Sequence, residues 1–540
     1  MKKRLTNFIN KSYADFLFYS IFLVAMIYMA SVRGFWYDEL TWTIRFVHNH
    51  TIMQTLQELA QSIYNLPLYY VVLNLLYRIS DNQIWLRIPS IVATLGAAYY
   101  ILKIVNRYYK TPYHVLTLIL LMIVPLSYTA LEVRPYGFLL FFAAWAYDLY
   151  LEHWEKDDYK NLLKFGVVLT LLAYSHWYGG LLIAAFGLTD FYLWLCKKVK
   201  FRNVIPYAVC GLLFLPWIIC LIMCHKYDFL TYWAGQKHYS YIIAVFRYFT
   251  QYTLLCMVFI ISLFYALLKL LNNMQKYITK PYSNSAFIIF FIWTVVWAYS
   301  IINPKGSIIE IRYFYVFLPQ IILVIIGGIR ELMAHKNKLL KRADKKSNLW
   351  LCICSPVVIV FVFIAYLHIH AYNNRVSQEF YEYDKYFDIV RNTQKLYPKP
   401  LLNVFYEEMF LDYYMEKDSK MNIISFNMID NYDAGRIMHK YKSNIISKIM
   451  KLDCQEGYKY IMHLNKKSPY YIVKNGQKSR QLFKENICNY DVVFVDNKTL
   501  WSIAYLKVFL DKHYEKIGYF PYVNSDMYFV YKYTKKKQRK

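Results

Sequence analysis

Residues 16–31 read FLFYSIFLVAMIYMAS and contain no charged side chain. A helix of about 20 such residues crosses roughly 30 Å of hydrocarbon. The block lacks a small-residue cleavage site, and many similar blocks follow it along the chain. We therefore expect a permanent membrane anchor here rather than a cleaved signal peptide.

The composition supports the same interpretation for the whole chain. Of its 540 residues, 58% are hydrophobic, 20% are aromatic and 18% are charged, whereas a soluble domain is nearer half apolar and a quarter charged. The formal net charge of +28 would suggest nucleic-acid binding in a soluble protein. Here the basic residues cluster between apolar blocks, as they do in the cytoplasmic loops of membrane proteins. We therefore expect a lipid bilayer, and no nucleic acid, around this chain.

The apolar blocks predict an α-helical polytopic membrane protein. Basic loops stay on the cytoplasmic side of a membrane. The first residues include Lys2, Lys3, Arg4 and Lys11 with no acid among the first 14, so the N-terminus is predicted to be cytoplasmic. Later basic loops alternate in agreement with this orientation. About eleven spanning helices are predicted, near residues 14–32, 88–105, 114–130, 136–151, 163–175, 178–196, 204–223, 253–271, 286–303, 313–330 and 349–368.

One apolar stretch, Leu66 to Ile79, is too short for a span and better suits an interfacial helix. Counting it as a span would invert every later loop and place the basic loops outside. Residues 33–87 are therefore predicted to form one long outer loop that contains this helix. The membrane domain as a whole is predicted over residues 1–370.

Residues 371–540 form a polar tail, which the topology predicts to be extracytoplasmic. The tail alternates strand-like and helix-like runs, and its clearest helical run is Leu500 to Lys516. Cys454 and Cys488 lie in it and would be able to pair in an oxidising compartment. A small α/β domain is predicted, with strands near Leu401–Tyr406, Asn422–Phe426, Tyr460–His463, Asp491–Val495 and Met527–Tyr531.

Asp38 and Glu39 lie a few residues beyond the first predicted span, among Phe35, Trp36 and Tyr37. Such acids are often solvated loop residues or helix N-caps. They are also the residue type that a general base requires, since a carboxylate packed among aromatic rings at a membrane boundary tends to ionise nearer to neutral pH. Both interpretations remain open from the residues alone.

Two further polar turns fall on the predicted outer face. In Glu132-Val-Arg134-Pro-Tyr136 the two charges either pair with each other or provide a phosphate clamp, because a guanidinium binds phosphate oxygens with two parallel bonds. His176 lies in a turn between two predicted spans. It is either a structural histidine or a ligand of a phosphate or sugar.

Arg87 and Arg312 also lie at predicted membrane boundaries. Each is either an interface anchor or a cation for a phosphate group. Charges at this depth are costly and usually mark sites or structural pairs. Their convergence on one face fits a lipid whose tail stays in the bilayer while its phosphate and head group lie at the surface.

The order of these motifs resembles the GT-C superfamily of glycosyltransferases, which use polyprenyl-phosphate sugars. The branch that it resembles most contains the protein O-mannosyltransferases and the lipid A aminoarabinose transferases. The resemblance covers roughly residues 10 to 330. It rests on Trp36 to Glu39, Pro67 to Tyr70 (with Tyr69), Leu86 to Ser90, Glu132 to Tyr136, the turn at His176, and Arg312 at the head of a late span.

The resemblance implies an inverting transfer from a polyprenyl-phosphate sugar to an acceptor hydroxyl on the outer face. Residues 1–370 would be the catalytic domain. Asp38 would act as base and Glu39 would hold the acceptor or share a proton with Asp38. Some relatives bind a divalent cation at such acids, and metal dependence is left open. Donor binding would involve Tyr69, Arg87, Glu132, Arg134, Tyr136, His176 and Arg312.

The acceptor class is open among protein, lipid and glycan, and the membrane would be the plasma membrane in a bacterium. A transporter or flippase of a lipid-linked solute is one alternative, but it predicts internal repeats and charges near mid-bilayer, and neither is seen. A polysaccharide polymerase or ligase is another. That class typically depends on one large late outer loop rather than on acids after the first span.

Overall fold

The computed structural model describes residues 2–35, 37–61, 65–109, 111–155, 158–224, 239–302 and 308–339, and parts of the tail. The described tail residues are 392, 395–396, 401–405, 423–427, 492–496, 514–521 and 527–533. The chain divides into two compact units. The first contains Met1–Val32 and Phe46–Ala371, and the second contains Arg33–Arg45 and Tyr372–Lys540.

Most described residues are helical. Short 3₁₀ segments cover Ile44–Phe46, Phe201–Val204 and Ile311–Phe317. The α-helices are α1 (Lys2–Val32), α2 (Tyr37–Trp42), α3 (Ile52–Gln61), α4 (Pro67–Tyr77), α5 (Gln83–Tyr108), α6 (Thr111–Ile123), α7 (Leu126–Leu131), α8 (Tyr136–His153), α9 (Tyr159–Ser175), α10 (Trp177–Leu195), α11 (Ile205–Cys224), α12 (Tyr241–Thr250), α13 (Thr253–Asn272), α14 (Met274–Tyr277), α15 (Pro281–Ile302) and α16 (Leu318–Leu339).

Seven helical segments of the described chain are long and apolar enough to cross a membrane, so a multi-pass integral membrane protein is confirmed. Each coincides with a predicted span. The predicted spans 114–130, 136–151 and 163–175 are also helical but are shorter or more polar, and the predicted span 349–368 lies outside the described residues. The total of eleven spans stays a prediction. The seven segments are Ala14–Val32, Gln83–Tyr108, Trp177–Leu195, Phe201–Met223, Thr253–Asn272, Pro281–Ile302 and Ile311–Glu331.

The short helix predicted within the first outer loop is present as α4. It begins at Pro67, whose fixed backbone angle and missing N–H suit the first turn of a helix. Tyr69 and Tyr70 are buried on it. The predicted span 114–130 is interrupted instead, because α6 ends at Ile123 and α7 begins after Pro125, which has no N–H to continue the helical ladder.

Helix α5 is bonded to the loop before α8 near one end and to α8 itself near the other. Near the start of α8, Ser90 Oγ donates to the carbonyl of Glu132 at 2.7 Å. At the far end, Asp148 of α8 accepts from Lys103 at 2.6 Å and pairs with Arg107 at 3.0 Å. A buried carboxylate in a helix bundle requires such partners. The two helices therefore form a fixed frame for the loop that precedes α8.

Tyrosine hydroxyls join other helices through backbone carbonyls. The chain has 57 tyrosines. A buried phenol needs a hydrogen-bond acceptor, and in this bundle a carbonyl of another segment often provides it. The bonds run from Tyr147 to Pro281 at 3.2 Å, Tyr178 to Ile308 at 2.7 Å, Tyr282 to Ser262 at 2.5 Å and Tyr315 to Pro125 at 3.1 Å.

The described strands of the second unit form a five-stranded sheet. Its strands are β1 (Leu401–Phe405), β2 (Ile423–Asn427), β3 (Val492–Asp496), β4 (Tyr514–Pro521) and β5 (Met527–Tyr533), in the order β2-β1-β3-β5-β4. Strand β1 is parallel to β2 and β3, whereas β5 is antiparallel to β3 and β4.

Four of the five predicted strands are present in this sheet, as β1, β2, β3 and β5. The predicted helix Leu500 to Lys516 is wrong over residues 514–516, because these residues begin β4, which pairs with β5. This tertiary pairing overrides the local apolar pattern. Tyr460–His463, Cys454 and Cys488 lie outside the described residues. The α/β domain as a whole stays a prediction.

Gly179, near the start of α10, allows α9 and α10 to approach closely. A Cβ at this position would lie 2.5 Å from the carbonyl oxygen of Leu172, whereas a Cβ at Gly180 would meet nothing within 4 Å. We expect Gly179→Ala to lower the free energy of unfolding by about 1–3 kcal/mol through overpacking. Gly180→Ala should be neutral or slightly stabilising, since alanine favours helix.

Thermal unfolding of the two purified variants in detergent measures this difference directly. Equal melting temperatures for both variants would contradict the close approach of α9 and α10.

Candidate active site

Side chains of α5 bond to the loop from Glu132 to Pro135, which connects α7 and α8. Arg87 Nε donates to the carbonyl of Leu131 at 2.6 Å, and Ser90 Oγ donates to that of Glu132. The hydroxyl of Tyr69 lies 3.2 Å from Ser90 Oγ and extends this support to α4. Unwound backbone within a membrane bundle needs partners of this kind.

The side chain of Arg134, in this loop, contacts the first turn of α8. Its Nη2 donates to the hydroxyl of Tyr136 at 3.3 Å, and its guanidinium carbon lies 5.5 Å from the centre of the same ring. The side chain is buried, with only 7% of its surface exposed. A cation over an aromatic face keeps its planar fork in one orientation.

His176 joins α9 to α10 and caps the second helix. Its Nδ1 accepts a hydrogen bond from the backbone N–H of Tyr178 at 3.3 Å. Three tyrosine rings lie near the imidazole, and their centroids are 5.9 Å (Tyr136), 5.8 Å (Tyr178) and 4.8 Å (Tyr313) from its own. This placement brings the α9–α10 turn against the start of α8.

The 3₁₀ segment Ile311–Phe317 completes the cluster. Tyr178 holds the residues before it by donating to the carbonyl of Ile308. Arg312 Nε lies 3.9 Å from a carboxylate oxygen of Glu310, and Arg312 remains partly exposed. Tyr313 faces His176, so Arg312 and His176 are close neighbours.

Both arginines lie within electrostatic range of His176. Burial, followed by the positive charges of Arg134 and Arg312, lowers the pKa of His176 to about 3. The imidazole is therefore neutral at physiological pH. Glu132 is also part of this neighbourhood, since Tyr128 lies within electrostatic range of both Glu132 and Arg312.

The first unit thus brings together five of the predicted site residues. These are Glu132, Arg134, Tyr136, His176 and Arg312. Two arginines, one neutral imidazole and one carboxylate are thus neighbours at the end of the bundle where α8 and α10 begin. Such an arrangement is able to bind an anionic group and orient a polyhydroxyl ligand beside it.

The other four predicted site residues do not belong to this cluster of five. Tyr69 and Arg87 are fully buried and support the loop, although both also have contacts beyond those described above. Asp38 and Glu39 lie in the first turn of α2, and their side chains are buried. They belong to the second unit, so their action at the cluster stays a prediction.

Three contributing residues carried no signal in the sequence. Tyr128 and Tyr315 stack with ring centroids 5.8 Å apart and planes inclined by 9°, and Glu310 lies beside Arg312. The tyrosines resemble any other aromatic in an apolar block, and only the folded chain brings them together. Within the part of the chain that the structure describes, no group of three or more His, Cys, Asp or Glu is arranged to hold a metal.

Comparison with known proteins connects this site to a family. Residues 65–224, which carry Arg87, the Glu132–Tyr136 loop and His176, match the model of the family described as dolichyl-phosphate-mannose-protein mannosyltransferase. Sequence comparison with curated proteins gave no match.

Among solved structures, the chain is similar to crystal structures of ArnT from Cupriavidus metallidurans. The form bound to undecaprenyl phosphate superposes with a TM-score of 0.50 and the apo form with 0.51. Both comparisons have 12% identity and cover 95% of this chain and 97% of that chain. The Archaeoglobus fulgidus oligosaccharyltransferase complex with Zn and sulfate gives a TM-score of 0.43 at 12% identity, covering 95% of this chain and 73% of that chain.

The chain therefore has the GT-C fold of membrane glycosyltransferases, with features of ArnT and of the protein mannosyltransferases. The resemblance predicted from the order of the motifs is confirmed.

The position of Arg87 leads to a test of the support beneath the loop. We expect Arg87→Lys to lower the free energy of unfolding by roughly 1.5–3 kcal/mol, because an ammonium group is unable to reproduce the bond from Nε to Leu131. Arg78→Lys is the matched control, since exposed Arg78 also donates through Nε, to Asn74 at 3.0 Å. Chemical or thermal unfolding in detergent gives both values, and equal losses would contradict a supporting role.

Proposed function

We propose that this protein transfers a sugar from a polyprenyl-phosphate carrier to an acceptor hydroxyl on the extracytoplasmic face of the membrane. The observation that carries the proposal is the meeting of Arg134, Arg312 and His176 at one end of the helix bundle. A lipid phosphate at a membrane boundary is the anion that such a cluster suits. The ArnT structure that contains undecaprenyl phosphate supports a lipid of this class.

The carrier phosphate is assigned to the two arginines. A guanidinium forms two parallel hydrogen bonds to phosphate oxygens and never loses its charge. Tyr136 holds Arg134 through both its hydroxyl and its ring, so less side-chain freedom is lost when the ligand binds. Glu132 and Tyr69 are assigned to substrate binding and Arg87 to the supporting layer.

The leaving group explains why cations suffice at this site. When the bond between the anomeric carbon and the phosphate oxygen breaks, the electron pair stays on the phosphate, and its negative charge grows. Preorganised positive groups stabilise such charge more in the transition state than in the ground state. A phosphate is already a good leaving group, so the proposal requires no general acid.

The acceptor hydroxyl is assigned to the acids of α2. Asp38 would take the proton of the hydroxyl as its oxygen attacks the anomeric carbon from the face opposite the phosphate, which inverts the configuration. Glu39 would hold the acceptor or share the proton. Burial of both carboxyl groups is consistent with this task. The positive-inside pattern of the sequence supports an extracytoplasmic site.

Asp38→Asn tests the base. A well-placed general base contributes roughly 10²–10⁴-fold to a rate, so we expect the release of polyprenyl phosphate from polyprenyl-phosphate sugars to fall by about that factor while carrier binding persists. Asp81→Asn, at another acid of the predicted outer loop 33–87, should leave turnover unchanged. Turnover that survives Asp38→Asn would move the base to Glu39 or Glu132.

Tyr136→Phe tests the clamp. Removing the hydroxyl that accepts from Arg134 should weaken binding of undecaprenyl phosphate by roughly two- to tenfold. Tyr147→Phe is the matched control, because Tyr147 is another buried tyrosine of α8 and its hydroxyl bonds to Pro281 and Ser285 instead. Equal affinities for the two variants would contradict a role for the Tyr136 hydroxyl in carrier binding.

A further inference from the structure

His176 is deeply buried, and one of its ring nitrogens has no hydrogen bond to the part of the chain that the structure describes. Its side chain is more than nine-tenths buried. Nδ1 accepts the hydrogen bond from Tyr178 N–H, so it carries no proton in the capped state. Nε2 makes no hydrogen bond with any residue in the described part of the chain. A neutral imidazole whose Nδ1 is an acceptor carries its proton on Nε2.

The surroundings fix both the orientation and the charge of this ring. The rings of Tyr136, Tyr178 and Tyr313 pack near it. Arg134 and Arg312 lie close enough to disfavour a further positive charge, and together with burial they lower its pKa to about 3. The imidazole therefore presents one N–H in one direction over the whole physiological pH range.

We propose that His176 is a constitutively neutral hydrogen-bond donor whose Nε2–H binds an oxygen of the carrier phosphate between Arg134 and Arg312. This inference rests on the proposed function and assigns the chemical form of one ligand. A third cation would repel the two arginines in the empty site and would hold the product phosphate more tightly. A neutral donor adds direction to the phosphate site without adding charge.

The same geometry excludes His176 as a general base. One nitrogen is occupied by a backbone N–H, and the other already carries a proton, so neither has a lone pair to offer an acceptor hydroxyl. A role as base therefore falls to a carboxylate. Anion binding and proton removal are thus assigned to different residues.

Two substitutions separate the donor from the helix cap. Asparagine is among the preferred N-cap residues, so His176→Asn should keep the cap but lose the distant N–H. His176→Gln places an amide N–H near the position of Nε2. We expect His176→Asn to weaken binding of undecaprenyl phosphate roughly ten- to hundredfold, as for other hydrogen bonds to charged groups, and His176→Gln to restore part of it.

Asp158→Ala is the control for loss of a cap. Asp158 caps α9 by accepting from the N–H of Asn161 at 2.8 Å. This variant should bind the lipid like the wild type. If His176→Asn binds normally as well, the proposed donor is wrong.

The pH dependence distinguishes a neutral donor from a cation. A protonated imidazole would bind phosphate more tightly, so with an ordinary histidine pKa the advantage of wild type over His176→Asn would grow as the pH falls. We expect the ratio of the two dissociation constants to stay constant from about pH 5.5 to 8, which also cancels the titration of the lipid itself. A ratio that grows on acidification would overturn the inference.

Two further measurements complete the test. If His176→Asn fails to fold, ¹⁵N spectra of histidine-labelled wild type and His176→Gln assign the tautomer directly, and a signal that shifts to the imidazolium near neutral pH contradicts the inference.

Arg134→Ala separates the two proposals. Wild type that does not bind undecaprenyl phosphate refutes the proposed function, whereas weakening by Arg134→Ala without weakening by His176→Asn refutes only the role of His176.

Discussion

Backbone polar groups at a break in a membrane helix bundle must find partners within the protein, because hydrocarbon offers none. This constraint governs the segment between α6 and α8. Its carbonyls at Leu131 and Glu132 accept from Arg87 and Ser90, and the carbonyl of Pro125 accepts from Tyr315. The loop that presents Arg134 is therefore supported by α5, and the residue before α7 is bonded to the 3₁₀ segment Ile311–Phe317. Tyr136, at the start of α8, then places this loop beside His176 and Tyr313.

The arginines near this loop have two different roles. Arg87 donates to the carbonyl of Leu131 and supports the loop, whereas Arg134 donates to the hydroxyl of Tyr136 and Arg312 is partly exposed. A ligand-binding group works best when its own support is rigid. At the opposite end of α8, Asp148 pairs with Lys103 and Arg107, which holds the same two helices together without taking part in the site.

The apolar blocks predicted the helices well because hydrocarbon imposes one rule on every span. The short block Leu66 to Ile79 was also correctly predicted as a separate helix, α4, from its length. The charged candidates Glu132, Arg134, His176 and Arg312 were recognisable since charge at a boundary is rare. The contacts between them were not predictable, because Tyr136, His176 and Tyr313 meet only after long stretches of chain have folded back. The strand β4 was missed for the same reason, since its partner β5 lies outside any local window.

The tyrosine bonds to backbone carbonyls carry a consequence for how such a sequence diverges. A carbonyl is present at every position, so the acceptors at Ser262, Ile308 and Pro281 do not depend on which side chain stands there. Mutation at those positions leaves the bond intact, whereas loss of the tyrosine removes it. Correlated substitutions between each tyrosine and its acceptor position are therefore not expected among homologues. A bundle built in this way is able to drift far in sequence while its helices keep their mutual positions.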